Sequence, residues 1–268
     1  MREKPAVIEA VNSMYEKGLN KGRLRRTPLF WQDYDDTYPA LREFEASYPA
    51  IRSECLGLLG MRDQITNVEA LGGKYTVGGI HSIQWKSYLL KMGSFVEENC
   101  RRCPKTAEAL AKIPDAYIAF FSILSPRQYI TPHFGYYKGF LRYHLGVIIP
   151  DNNANNACWL RINDDPEANA NYDISKIDQG KKYYWHEGEG VIFDDTLLHD
   201  ASNESDEIRV VLWIDVRRHM PSYFDWLHRT FLWSAFKHPY FKQRRQDATV
   251  PFGAPDSFED RSHLKTPA

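Results

Sequence analysis

Two segments carry residues whose types and spacing could do chemistry. The first is Thr131-Pro132-His133-Phe134-Gly135 with the run Phe140–Pro150 behind it. The second is Gly190–His199 with the run Ile208–Arg217 behind it. With the period of two that strands impose, Leu141, Tyr143, Leu145 and Val147 share one face, and Arg142 and His144 fall together on the other. An arginine and a histidine side by side are costly to bury unless they meet an anion. That pair either faces solvent or lines a cavity for an acidic ligand, and the second reading fits a central strand better. Ile208–Val216 is nearly continuous apolar sequence, as in a strand buried on both faces. Arg209 stands at its start, where a guanidinium can grip a carboxylate through two parallel hydrogen bonds. His199 lies ten residues upstream. Antiparallel strands joined by Asp200 to Glu207 would make His199 and Arg209 neighbours.

The elements that must position these residues change character along the chain. Lys4–Leu19 fits a short amphipathic helix, and Tyr38–Leu59 carries apolar residues at helical spacing with Pro49 as a break or kink. Leu71–Tyr75 and Gly78-Gly79 punctuate a looser stretch holding short strands within His81–Leu90. Phe95–Ile113 reads as a further helix that restarts at Pro104. From Ala116 the pattern becomes short apolar or alternating runs: Ala116–Leu124, Phe140–Ile149, Ala157–Ile162, Lys182–His186, Val191–Asp194 and Ile208–Val216. Asn-, Asp-, Gly- and Pro-rich joints separate them, which is the signature of a β-sandwich or barrel. The expected organisation is a helical region over 1–115, a β core over 116–218, and an aromatic, basic helix with a polar tail over 219–268. The tail is expected to be poorly ordered beyond Pro251.

Composition narrows the function classes. The 268 residues are 43% hydrophobic and 14% aromatic, enough for a sizeable core. A net charge of -1 and a pI near 6.8 argue against a nucleic-acid partner. Mean hydropathy is -0.53, and no window reaches the ~18 apolar residues of a membrane span. Met1-Arg-Glu-Lys4 begins a polar segment without the apolar run of a secretory signal, so a cytoplasmic protein is expected. Cys100-Arg-Arg-Cys103 lacks a second pair for zinc. Beside two arginines it could form a redox pair, but with Cys55 and Cys158 it reads more simply as reduced thiols.

His133-x-Gly135, Leu141-Arg-Tyr-His-Leu-Gly146, Pro150, Phe193-Asp-Asp195 before His199, and Arg209 ten residues beyond together resemble the aspartyl/asparaginyl β-hydroxylase family over about Ala116–Arg218. The resemblance implies a mainly β fold with flanking helices around a double-stranded β-helix, the cupin-like jelly roll. It also implies an iron(II) centre that uses 2-oxoglutarate and O2 to hydroxylate an unactivated C–H bond, giving succinate and carbon dioxide. His133 and His199 would be the only protein ligands to the metal, because Gly135 stands where most such oxygenases carry a carboxylate. A glycine there also admits a halogenase reading, with a halide in that position. Arg209 and Ser122 would hold the distal carboxylate of 2-oxoglutarate. Arg142 and His144 would contact the remaining cosubstrate or substrate carboxylate. Asp194 or Asp195 would orient His199 or cap a turn.

The departures from the family bear on substrate. Animal members that hydroxylate Asp or Asn carry an extra arginine two residues before the one matching Arg142, and this chain has Phe140 there. The stretch Tyr136–Gly146 looks more like bacterial relatives, a group that includes lipid A acyl-chain hydroxylases. The substrate is therefore a peptide, a small molecule or a lipid. In the segment 220–245, Phe224, Leu227, Phe231 and Ser234 recur at helical spacing among further aromatics, with basic residues following. Such a helix either packs on the barrel or makes peripheral contact with a membrane surface. A reading from another class is a non-catalytic barrel that only binds a carboxylate.

Overall fold

The computed structural model describes residues 6–24, 26–68, 84–135, 137–220 and 222–250. The glycine-punctuated stretch from Leu71 to Gly79, with His81, His263 and the tail beyond Pro251, lies outside the described residues. In chain order the structure runs α1 (Ala6–Asn20), α2 (Pro39–Glu45), α3 (Tyr48–Leu59), β1 (Trp85–Met92), β2 (Ser94–Phe95), α4 (Glu97–Cys100), α5 (Pro104–Ala111), β3 (Ala116–Leu124), β4 (Gln128–His133) and β5 (Phe140–Ile148). It continues with β6 (Cys158–Asn163), α6 (Pro166–Asn171), β7 (Lys181–Tyr184), β8 (Gly190–Phe193), β9 (Leu198–Asn203), β10 (Arg209–Arg217), α7 (Ser222–Ala235) and α8 (Pro239–Asp247).

Prolines mark the helix starts. The pattern over Tyr38–Leu59 divides into α2 and α3, and Pro39, Pro49 and Pro104 each fall in a first turn, where the missing N–H has no intrahelical partner to lose. Phe95–Ile113 is not one helix. Phe95 ends β2, and two short helices follow it.

The strands form two antiparallel sheets, ordered β2-β1-β3-β10-β5-β8 and β4-β9-β6-β7. From β3 to β10 the chain passes back and forth between the sheets, except that β6 and β7 follow one another within the smaller sheet. This is the double-stranded β-helix, or jelly roll. Residues 85–95, upstream of that core, add β1 and β2 to the larger sheet.

β10 is buried on both faces, and the alternation along it sorts its side chains. Val210, Leu212, Ile214 and Val216 point outward into a cluster with Leu41, Ile51 and Leu110 of the helical region. Val211 points into the sandwich, against Leu124, Leu160 and Phe193. β5 repeats the arrangement, with Leu141, Tyr143, Leu145 and Val147 on the helix side. Arg142 and His144 are thereby turned into the interior.

One expected neighbourhood is corrected. Residues 200–203 are not a connecting loop but belong to β9, which pairs with β4 and β6 in the smaller sheet. Arg209 begins β10 in the larger sheet. His199 and Arg209 therefore sit on opposing sheets, not on adjacent antiparallel strands.

Candidate active site

His133 ends β4 and His199 lies near the start of β9, and the two are direct cross-strand partners. Along β4 the register advances from Ile130 to His133 while β9 advances only from Ala201 to His199. The extra residue is a bulge at Thr131-Pro132, and proline is tolerated at such a break in the ladder. Without the bulge, strand parity would send His133 to the opposite face from Ile130. With it, Ile130, His133, His199 and Ala201 all line one cavity. Asp200, next to His199 but facing the other way, fastens the smaller sheet. It accepts from Arg161 of β6 at 3.0 and 2.7 Å and from the Tyr129 hydroxyl of β4 at 2.5 Å.

The two imidazole centroids are 4.1 Å apart. Each ring is held the same way, with Nδ1 of His133 2.7 Å from the Thr131 carbonyl and Nδ1 of His199 2.8 Å from the Leu197 carbonyl. A carbonyl only accepts, so Nδ1 carries the proton in both rings and Nε2 presents its lone pair. Burial pushes His133 down to about 4. Burial, followed by the neighbouring His133, drives His199 well below the usual histidine range. Both imidazoles are neutral near pH 7, the form that binds a metal.

Neither aspartate orients His199; the two backbone carbonyls do that work. Asp194 caps its turn, accepting from the Thr196 amide at 3.0 Å and hydroxyl at 2.6 Å, and it pairs with Arg218 at 2.5 Å. Asp195 pairs with Arg142 at 2.8 Å. Its carboxylate lies where a side chain at position 135 would go: a Cβ built on Gly135 would stand 2.2 Å from Asp195 Oδ2. The Gly135 amide also donates to the Asp195 carbonyl at 2.7 Å. Among the described residues, no cluster of three or more His, Cys, Asp or Glu forms a metal site.

The opposite wall belongs to β3, β5 and β10 of the larger sheet. Ser122, Arg142, His144 and Arg209 line the same cavity as the two histidines. The cavity and its mouth span about 340 Å³ of space free of protein atoms, part of it open solvent. Arg209 is 1% exposed, and its guanidinium meets no carboxylate among the described residues. Burial pushes it down to about 10. It stacks over the Trp185 ring at 4.8 Å. Ser122 Oγ accepts from Trp85 Nε1 at 2.8 Å.

Both nitrogens of His144 are buried without a hydrogen-bond partner, inside a box of Trp185, Phe193 and Trp213. Trp185 Nε1 is likewise unpartnered. Buried polar atoms in this state are uncommon in proteins unless a ligand or water completes them.

Arg142 is occupied differently. It donates from Nε to Asp215 Oδ1 at 3.0 Å, pairs through Nη2 with Asp195, and stacks 3.5 Å from the centroid of Trp213. Asp215 also accepts from Trp213 Nε1 at 2.9 Å. Two carboxylates thus share one guanidinium. Burial, joined by Asp215 and Asp194 and opposed by Arg142, raises Asp195 to about 6.

Trp85, Trp185, Trp213 and Asp215 were not singled out from sequence. Asp215 did leave a signal, a lone acid inside an apolar run. The cysteines are free and buried, and burial raises Cys55, Cys100 and Cys103, so the arginines beside the CxxC do not activate it.

The fold and the site define a jelly-roll protein with two metal-competent histidines facing a buried cation. The aspartyl/asparaginyl β-hydroxylase family model matches residues 45–219, and the chain belongs to that family of hydroxylases. The ornithine lipid ester-linked acyl 2-hydroxylase of Rhizobium tropici is 31% identical over 208 residues, spanning 77% of this chain and 67% of that protein. Human aspartate beta-hydroxylase domain-containing protein 2 is 32% identical over 138 residues, 48% of this chain and 32% of that protein. Human aspartyl/asparaginyl beta-hydroxylase is 27% identical over 138 residues, 49% of this chain and 16% of that protein. The chain therefore spans two thirds of the lipid hydroxylase and a third or less of these human proteins.

Proposed function

We propose that the protein is an iron(II)- and 2-oxoglutarate-dependent dioxygenase that hydroxylates an unactivated C–H bond. The observation that carries this reading is the opposition of two neutral imidazoles to a buried guanidinium that meets no carboxylate among the described residues. A guanidinium buried at such cost calls for an anionic ligand. The histidines supply nitrogen ligands suited to iron and leave positions open for a chelating oxo acid and oxygen.

His133 and His199 would hold the metal through Nε2, their tautomers fixed by Thr131 and Leu197. Arg209 and Ser122 would hold the distal carboxylate of 2-oxoglutarate. His144 and the Nη1 group of Arg142 would contact the remaining cosubstrate or substrate carboxylate. Bound iron supplies oxygen activation, coupled to decarboxylation of the oxo acid to succinate and carbon dioxide. The aromatic box around His144 keeps bulk water from the reacting centre. The Asp195 carboxylate against Gly135 disfavours a halide there, which supports hydroxylation over halogenation.

An acyl-chain substrate has more support than an Asp or Asn side chain. Phe140, standing where an extra arginine would serve an acidic substrate, packs against Tyr117, Tyr137 and Phe236. The lipid hydroxylase relative also matches more of the chain than the two human proteins do.

The test is anaerobic titration with iron(II) and 2-oxoglutarate, followed through the weak visible metal-to-ligand charge-transfer band. The expected result is a band that His133→Ala abolishes. No band in metal-loaded protein would leave a barrel that only binds carboxylates.

A further inference from the structure

We propose that the outward face of α7 docks the protein onto an anionic lipid surface. Trp226 and Trp233 are 62% and 63% exposed, more than any other large hydrophobic residue among those described. The remaining five tryptophans are buried or half-buried. Seven residues apart on a helix, the two indoles share one stripe about 10 Å long. Leu227, 37% exposed, lies about 100° round the helix from Trp226. Single exposed apolar side chains are ordinary, but two aligned indoles beside lysine are the composition of an interfacial helix. Indole suits that position because it joins a large apolar ring to one N–H donor.

The charge around the stripe selects the kind of surface. Lys237 Nζ sits 3.2 Å from the Trp233 ring centroid. Over 222–247 there are five arginines and lysines against two aspartates, in a chain whose net charge is -1. Those aspartates are already engaged, Asp225 by Arg217 and Arg229, and Asp247 by Gln243 and Arg244. Lys237 and Lys242 stand exposed. Cations at this density complement anionic headgroups.

The inner side of α7 fixes its place. Leu232 and Phe236 pack with Phe120, and Tyr137 and His228 are joined at 2.6 Å between the hydroxyl and Nε2. Trp213, a wall of the active cavity, borders the same cluster. No helix among the described residues is long and apolar enough to cross a membrane, so α7 would lie on the surface. A second copy fits the patch poorly. Two indoles and a leucine offer roughly 400 Å², against the ~800 Å² per partner of a stable interface. Docking would lay the lipid against the outer side of α7, whose inner side packs on the cluster that Trp213 borders, and it stands independently of the reaction assigned to the site.

The experiment is flotation of the full chain with phosphatidylcholine vesicles, with and without phosphatidylglycerol. The wild type is expected to float with the mixed vesicles and more weakly with phosphatidylcholine alone. Trp226→Ser/Trp233→Ser should lower partitioning by about tenfold or more. It should keep its melting temperature and its 2-oxoglutarate turnover, since neither indole touches the cavity. Lys237→Glu should weaken binding to the mixed vesicles only. A wild type that stays unbound, or a double variant that floats equally well, overturns the proposal. So does a dimer that the double substitution dissociates without vesicle binding, which would give the face to a second copy. Flotation needs no turnover, so failure of the iron and 2-oxoglutarate assignment would leave this result readable.

Discussion

The two ends of the cavity each hold a buried arginine, and they are built in opposite ways. At one end Arg142 is flanked by Asp195 and Asp215 and stacked on Trp213, so its charge is spent within the protein. At the other end Arg209 rests on Trp185 with its Nε unpaired and no acid facing it among the described residues. The Arg142 end is a finished piece of architecture that also carries Asp195 to the edge of the histidine pair. On the proposed function, an anionic ligand would complete the Arg209 end. The same side chain, on adjacent strands of one sheet, is tied into structure in one place and, on the proposed function, is kept for recognition in the other, and the difference lies in the carboxylates supplied.

Making the same substitution at both ends tests this directly. Arg142→Met strands two buried carboxylates and should cost about 3–5 kcal/mol in urea unfolding. A loss below about 1 kcal/mol would break the comparison. Arg209→Met removes a cation that has no acidic partner among the described residues, so the unliganded protein should be at least as stable as the wild type. The same variant should raise the 2-oxoglutarate KM about 100-fold, the worth of two charge-assisted hydrogen bonds. A destabilised Arg209→Met with an unchanged KM would reverse the two roles.

A further test is in pH. Burial pushes His133 and His228 down to about 4 and drives His144 and His199 well below the usual histidine range, against about 6.5 when unfolded. Below about 6.5 the unfolded chain binds more protons than the folded one. The metal-free protein should therefore lose stability as pH falls from about 6.5 to 4, by about 1.4 kcal/mol per pH unit for each histidine. Asp195, raised to about 6, acts oppositely and offsets one histidine between about 6 and 4. Asp195→Asn should remove that offset and steepen the acid limb in thermal melts at stepped pH.

What was legible in the sequence followed strand parity. Alternation over Leu141–Val147 separated the helix-facing residues from Arg142 and His144, and the apolar run after Arg209 marked a strand covered on both sides. β9 was hidden because its interior carries Asp200, Ser202 and Asn203, which read as a loop until their partners are known. Asn203 alone donates to the carbonyls of Ser125 and Glu207 at 3.0 and 2.7 Å. Hydrophobic patterning cannot register a buried polar residue whose hydrogen bonds come from distant strands.

By itself the sequence determined which chemistry was available: two histidines, a glycine rather than a carboxylate two residues after the first, and arginines set into apolar strands. Only the tertiary structure decided which atoms meet. A one-residue bulge at Thr131-Pro132 turned His133 inward, backbone carbonyls took the orienting role open to the aspartates, and Arg142 received two acids while Arg209 received none. The physical reason is that residue type and parity are local properties of a chain, whereas pairing, desolvation and the absence of a counter-charge depend on segments that only folding brings together.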